Sequence, residues 1–254
     1  MCTLALYFKV FPAYPLVVAA NRDEHYARPS APPAIVGTSP TILAGRDLRA
    51  GGTWLGVNEY GLLVGILNRR LSTGPAAQAE HRSRGLLCLD LLRLSDATAV
   101  HELVPTLRAT PYQPFTVVCA DKNSACLAYN TDETIEIVKL ESGLHVFSNS
   151  YEASAPSEKV SRLYERFSML CQPTTAPINV SEFVGSAASV LGDHSLGDGS
   201  KEPREATCVH SQVSGTVSSS IIFFSDAERQ FQTYYCAGAP CRNSFKQYPR
   251  LDVR

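Results

Sequence analysis

The chain has 254 residues and a net charge of −1, from 23 basic and 24 acidic side chains, so it can bury a sizeable core. No basic run gives it the electrostatic footprint of a nucleic-acid binder, and no apolar run is long enough to span a bilayer. Its eight cysteines sit in a chain too long for the disulfide frameworks of short secreted proteins. A reducing, cytoplasmic setting fits them best.

In chain order, Leu4–Phe8 and Leu16–Ala20 are apolar runs rich in strand formers, separated by the turn signal Pro12-Ala13-Tyr14-Pro15. They are not expected to be a signal peptide: no basic region precedes them, Lys9 interrupts them and two prolines break them. The Pro-rich stretch 29–40 is expected to be an irregular loop. Runs at 53–58 and 62–68 flank Glu59-Tyr60-Gly61 as a second hairpin. Ser83 and Asp96 are N-cap candidates for helices over 84–94 and 97–107. Strands follow near 115–120, 125–130, 134–140 and 143–148. A helix over 157–171 carries Val160, Leu163, Phe167 and Leu170 on one face, and another over 180–191 is capped by Asn179 and stopped by Gly192. Residues 192–206 read as a polar, mobile loop, and strands near 207–213, 218–225 and 229–236 close the chain. Cys88, in a helical run, and Cys119, in a strand, read as buried small hydrophobes.

Strands come in runs and helices in pairs, which argues against a doubly wound parallel sheet. The pattern fits a single domain over 1–254 of the α+β class: a four-layer αββα sandwich of two stacked antiparallel sheets flanked by helix pairs.

The chemistry centres on Cys2. A small residue at position 2 permits removal of Met1, which leaves the thiol beside its own α-amine. That amine titrates near ~7.7–8 and is well placed to move a proton at neutral pH. A hairpin centred on the Pro12–Pro15 turn sets position 2 opposite positions 23–25, within the usual boundary error, beside Asn21-Arg22-Asp23-Glu24. Arg22 there favours a thiolate or a substrate carboxylate, and a carboxylate holds the terminal ammonium. Strand alternation lets only one of Asp23 and Glu24 face the cleft. Asn68 and Asn149 each end a strand, where amide donors of an oxyanion hole are found, although asparagine also commonly ends strands for turn reasons. Gly45–Gly56, with Arg46 and the single Trp54, is not a phosphate loop, because no Gly-Lys-Ser/Thr follows.

Other chemistries find less support. Cys208-Val209-His210 and Cys236 to Cys241 offer ligand types without the close paired spacing of structural zinc sites, so no metal site and no resident cofactor are expected. Cys-x-x-Cys-His haem attachment and a Gly-x-Ser-x-Gly elbow are both absent.

Five separated blocks carry a resemblance: Met1-Cys2, Asn21-Arg22-Asp23-Glu24, Gly45-Arg46-Asp47 with Ala50 to Gly56, Ser83-Arg84-Gly85, and Leu144-His145 with Ser148-Asn149. The chain resembles the NRDE-motif family of transport-and-Golgi-organisation type proteins. That resemblance implies an N-terminal-nucleophile hydrolase-like fold and, more distantly, a likeness to cysteine amidases that cleave bile-salt conjugates and penicillin V. It implies that Cys2 attacks a linear amide, with Arg22, Asp23, Asn68 and Asn149 in catalytic roles. Asn21, Glu24, Arg46, Trp54, Arg69 and His145 are the expected substrate contacts. The alternative that it implies is a carrier of haem or acyl-CoA and other lipids using the same cleft, in haem trafficking or lipid homeostasis. One departure stands out: Val217 occupies the place where the amidases set a further arginine, so one cation is missing and turnover is expected to suffer.

Overall fold

The computed structural model describes residues 2–69, 81–131, 134–149, 157–171, 178–197, 200 and 202–254. In chain order its elements are β1 (Cys2–Phe11), β2 (Tyr14–His25), β3 (Ser30–Thr38), β4 (Thr41–Asp47), β5 (Leu55–Asn58), β6 (Leu63–Asn68), α1 (Arg84–Leu91), α2 (Ala97–Leu103), β7 (Phe115–Ala120), β8 (Ala125–Asn130), β9 (Ile135–Lys139), β10 (Gly143–Ser148), α3 (Glu158–Ser168), α4 (Val180–Leu191), β11 (Ser214–Ser225), β12 (Gln230–Ala237), β13 (Lys246–Gln247) and β14 (Leu251–Asp252). The chain packs as two compact units: residues 1–28 with 142–252, and residues 29–141 with 253–254.

The first unit is an antiparallel sheet in the order β10-β1-β2-β11-β12-β13, with β14 also on β12. Its strands alternate cleanly. Ala5, Tyr7, Val17, Ala19, Ile221 and Phe223 point to α3 and α4, where Val160, Leu163, Phe167, Phe183, Ala187 and Leu191 cover them. The Tyr7 hydroxyl donates to the Phe167 carbonyl at 2.9 Å, so this buried phenol stays paired. Side chains of the opposite face, among them Leu4, Leu6, Val18 and Ile222, are buried too, which is why these strands read as near-continuous apolar runs.

The first hairpin contains a β-bulge. Phe11 pairs with Tyr14, but Phe8 pairs with Leu16, so β1 carries one extra residue between them. Lys9 lies there with φ 54°. The shift sets Cys2 opposite Arg22.

The second unit is a sheet in the order β3-β4-β5-β6-β7-β8-β9. Leu87, Cys88, Leu91 and Val100 of α1 and α2 pack on Ile42, Val64, Ile66 and Val117. The stretch 29–40 is not the expected loop: it forms edge strand β3, with bulges between Ala31 and Ala34 and between Ile35 and Gly37. Its prolines are tolerated because an edge strand need not donate on its open side. A side chain on Gly52 would strike the Gly85 carbonyl carbon at 2.2 Å, and the Thr53 N–H donates to the Gly85 carbonyl at 3.0 Å. Two of the blocks behind the family resemblance thus meet as a backbone-to-backbone joint.

Three other readings change. Asp96 caps α2 by accepting from the Ala99 N–H, but Ser83 makes no side-chain capping bond. Cys119, expected as a buried small hydrophobe, is joined to Cys126 as a disulfide; they face each other on β7 and β8 with Cα atoms 5.3 Å apart. Residues 207–213 form no strand, only a bridge of His210 to Gly215. Among the described residues no helix is long and apolar enough to cross a membrane.

Candidate active site

Four neighbouring strands converge at one end of the first unit's sheet. Cys2 is opposite Arg22, and Arg22 is opposite Ser218. On the other side, Thr3 pairs with Ser148, which brings Asn149 level with Cys2. Directly opposed residues share a face, so Asn149, Cys2, Arg22 and Ser218 form a row across β10, β1, β2 and β11.

The backbone nitrogen of Cys2 donates to Asn149 Oδ1 at 2.6 Å. The Asp23 backbone N–H near the sulfur favours its charged form. Burial pushes the Cys2 thiol above its ordinary range; the Asp23 carboxylate adds to this, while the Asp23 amide and the Arg22 guanidinium oppose it. The thiol therefore rests protonated at neutral pH, and a base must take its proton when it reacts.

Alternation separates Arg22 from Asp23. Arg22 is buried on the face of Cys2 and pairs with Glu24 Oε2 at 3.8 Å. Glu24, half-buried, also pairs with Arg28 at 3.7 Å and accepts from the His25 N–H. Asp23 is buried on the helix-facing side, where its Oδ1 accepts from Thr216 Oγ1 at 2.6 Å. Burial raises its carboxyl above the usual range, and Lys159 and the Thr216 bond pull it back.

Lys159 was not anticipated from the sequence. It is fully buried on α3, among the apolar positions of that helix, and its Nζ donates to the Arg204 carbonyl at 2.9 Å. Burial holds its ammonium below the ordinary lysine range; Asp23, Glu205 and Cys2 raise it. The signal was a lysine adjoining the apolar stripe. It gives the site a buried cation from a helix, whereas Val217, where an arginine was sought, lies in the bulge between Thr216 and Ser218 of β11.

Asn21, expected to touch substrate, is instead fully engaged inside the protein. Its Nδ2 donates to the Leu191 and Thr207 carbonyls, both at 2.9 Å, and its Oδ1 accepts from Ser219 Oγ at 2.6 Å. The residue ties β2 to β11, to the end of α4 and to the segment after it. His145 shares the face of Cys2, since it pairs with Leu6, and stacks on Phe147. It lies about 14 Å along β10 from Asn149, at ~3.4 Å per residue.

Asn68, Arg46, Trp54 and Arg69 belong to the second unit. Asn68 ends β6 opposite Phe115. Arg46 is exposed. The Trp54 ring lies so close to Gly45 that a Cβ there would come within 2.7 Å of it. Arg69 lies over the Tyr129 ring at 4.7 Å and donates to the Asn130 carbonyl at 2.7 Å, a local brace rather than a free substrate contact.

Sequence spacing supported a metal site only weakly, through Cys208, His210 and Cys241, yet the structure brings these three together with His194, with donor atoms all within 4.8 Å of one another. Their signal was spread over three segments, with no paired spacing to reveal it.

The family model for Transport and Golgi organisation 2 matches residues 1–235. The human Transport and Golgi organization protein 2 homolog is 32% identical over 162 residues, a match that takes in 59% of this chain and 57% of that protein. Among solved structures, the fold is similar to a cysteine-to-alanine variant of conjugated bile acid hydrolase from Clostridium perfringens, with a TM-score of 0.62 and 12% identity over 98% of this chain and 97% of that one. Penicillin V acylase from Agrobacterium tumefaciens is similar at a TM-score of 0.57 and 12% identity, over 100% of this chain and 99% of that one. At such identities the likeness is one of fold, and it bears out the N-terminal-nucleophile hydrolase-like α+β sandwich class.

Proposed function

This chain belongs to the Transport and Golgi organisation 2 family, and from that premise and the surroundings of Cys2 we propose that it is a cysteine N-terminal-nucleophile hydrolase of linear amides, active after Met1 is removed. The observation that carries the reading is the bond from the Cys2 nitrogen to Asn149 Oδ1 at 2.6 Å, in a row with Arg22. With Met1 gone, that nitrogen becomes an α-amine held beside its own sulfur.

The amine, when neutral, takes the thiol proton as sulfur attacks the amide carbonyl. It then gives that proton to the leaving nitrogen as the C–N bond breaks, which leaves a thioester on Cys2. Water adds to the thioester with the amine again as base, and the acid is released. Asn149 orients the amine through its oxygen, so its Nδ2 remains as a donor toward the oxyanion, the role that the family resemblance gives it. Arg22 supplies positive charge on the face of the sulfur, for the developing oxyanion or a substrate carboxylate. Asp23 steadies the sulfur through its backbone amide.

The test starts with the intact mass of the purified protein, to establish loss of Met1. A β-lactone or activated-amide electrophile should then label one site, and Cys2→Ala should abolish the label. A panel of N-acyl amides follows, read by amine release. No label on Met1-free protein, with tight binding of haem or acyl-CoA instead, would overturn the hydrolase reading in favour of a carrier.

A further inference from the structure

We infer that His194, Cys208, His210 and Cys241 form a structural zinc site, independent of the hydrolase reading. The residues come from three segments of the first unit. His194 follows α4, Cys208 and His210 precede β11, and Cys241 follows β12. The sulfurs of Cys208 and Cys241 are 3.6 Å apart. His210 Nε2 is 3.7 Å from the Cys208 sulfur and 3.2 Å from that of Cys241. Around a tetrahedral zinc, with bonds of ~2.3 Å to sulfur and ~2.0–2.1 Å to nitrogen, the sulfur–sulfur edge is about 3.8 Å and the sulfur–nitrogen edge about 3.6 Å. The three edges among Cys208, His210 and Cys241 fit within about 0.4 Å, while the four donors together span up to 4.8 Å, so binding must draw the cluster in.

The fourth ligand is prepared for the same role. His194 Nδ1 lies 3.0 Å from the Cys208 carbonyl, which can only accept, so Nδ1 carries the proton and Nε2 keeps its lone pair. A metal-binding histidine ordinarily gives its other N–H to such an acceptor. The His194 and His210 rings are 5.1 Å apart between centroids, tilted at 39°. A two-sulfur, two-nitrogen tetrahedron selects zinc among the common divalent ions. Both thiols lose their protons on binding, and two thiolates with two neutral imidazoles leave the zinc complex with no net charge. All four positions are filled by protein, so the site is closed and its role is to hold the fold.

What it holds is next to the nucleophile's supports. On one side of Cys208, the Thr207 carbonyl accepts from Asn21. On the other, the Val209 N–H donates at 2.9 Å to Thr216 Oγ1, which in turn donates to Asp23. Zinc would clip this segment to the ends of α4 and β12, and through it fix Asp23.

The experiment uses the full chain, reduced and stripped with a chelator, then titrated with zinc against a chromophoric competitor. One equivalent should bind, and Cys241→Ser and His210→Asn should each weaken binding by at least ~100-fold, since removing a ligand costs more than the ~10–100-fold typical of its outer partners. Cys241 is exposed, so Cys241→Ser should keep the wild-type circular dichroism. Cobalt in place of zinc should give a thiolate-to-metal absorption band that weakens in Cys241→Ser. Absence of stoichiometric binding, or binding unchanged in both variants, would overturn the site. So would peptide mapping that finds Cys208 and Cys241 joined as a disulfide in protein purified without air.

Discussion

Replacing Asn149 by alanine removes the acceptor that holds the Cys2 nitrogen. The bond is 2.6 Å long and half-buried, and in Met1-free protein its donor is the amine that moves the proton. A hydrogen bond to a charged group contributes about 1.5–3 kcal/mol, and partial burial places this one in the lower half, at roughly 1.5–2 kcal/mol. At 1.36 kcal/mol per tenfold, Asn149→Ala should slow labelling of Cys2 by a β-lactone about 10- to 30-fold. Asn149→Asp keeps the acceptor but adds an anion. The anion stabilises the ammonium, raises the amine pKa and moves the rising limb of the rate profile to higher pH. The assay is second-order labelling from pH 6 to 10 on Met1-free protein whose fold is confirmed by circular dichroism. If Asn149→Ala labels within twofold of wild type, or Asn149→Asp leaves the limb in place, the amine is not held as described.

Other outcomes follow from the packing. Lys159→Met removes a cation that holds the buried Asp23 carboxyl down, so Asp23 should titrate still higher. A carboxyl raised in the fold is favoured protonated; its contribution is present below the unfolded value near ~3.9 and lost as pH rises through the folded one. The wild-type advantage over Lys159→Met should therefore widen in urea melts between the folded Asp23 values of the two proteins, where the variant alone still carries the native proton, by about 1.4 kcal/mol for each tenfold gain in proton affinity. Asp96→Ala should cost about 1 kcal/mol by removing the α2 cap. The Ala99 N–H holds the Asp96 carboxyl below its ordinary range, so the difference should persist above ~3.9 and vanish as pH falls through the folded value. Gly52→Ala drives a Cβ into Gly85 backbone and should destabilise by about 1–3 kcal/mol or more. Gly185→Ala, inside α4 with open space around it, should stabilise by roughly 0.5–1 kcal/mol. Thermal melts distinguish the two signs.

Local signals carried most elements. The α3 stripe of Val160, Leu163 and Phe167 is buried as its spacing indicated, and Asn179 caps α4 as expected. Residues whose place depends on distant partners were not legible. Residues 29–40 looked like loop because proline composition hides an edge strand. Asn21 looked available to substrate because nothing local shows that Leu191, Thr207 and Ser219 converge on it. Lys159 reads as an ordinary helix-surface charge until the fold closes over it, and the His–Cys cluster exists only in three dimensions. The first hairpin was legible to within one to three residues, and the offset mattered, because counting from the turn sets position 2 across from 23–25 whereas the ladder pairs it with Arg22.

Lys9, far along the strand from the sulfur, thereby governs which sign of charge lies across from it. Were the extra residue drawn into a regular ladder, every partner beyond it would slip by one, and a carboxylate would replace the guanidinium opposite Cys2. Proton affinity at the chain's start is in that sense written into a backbone kink: glycine at position 9 should preserve the kink, and a β-branched residue, which resists positive φ, should strain it.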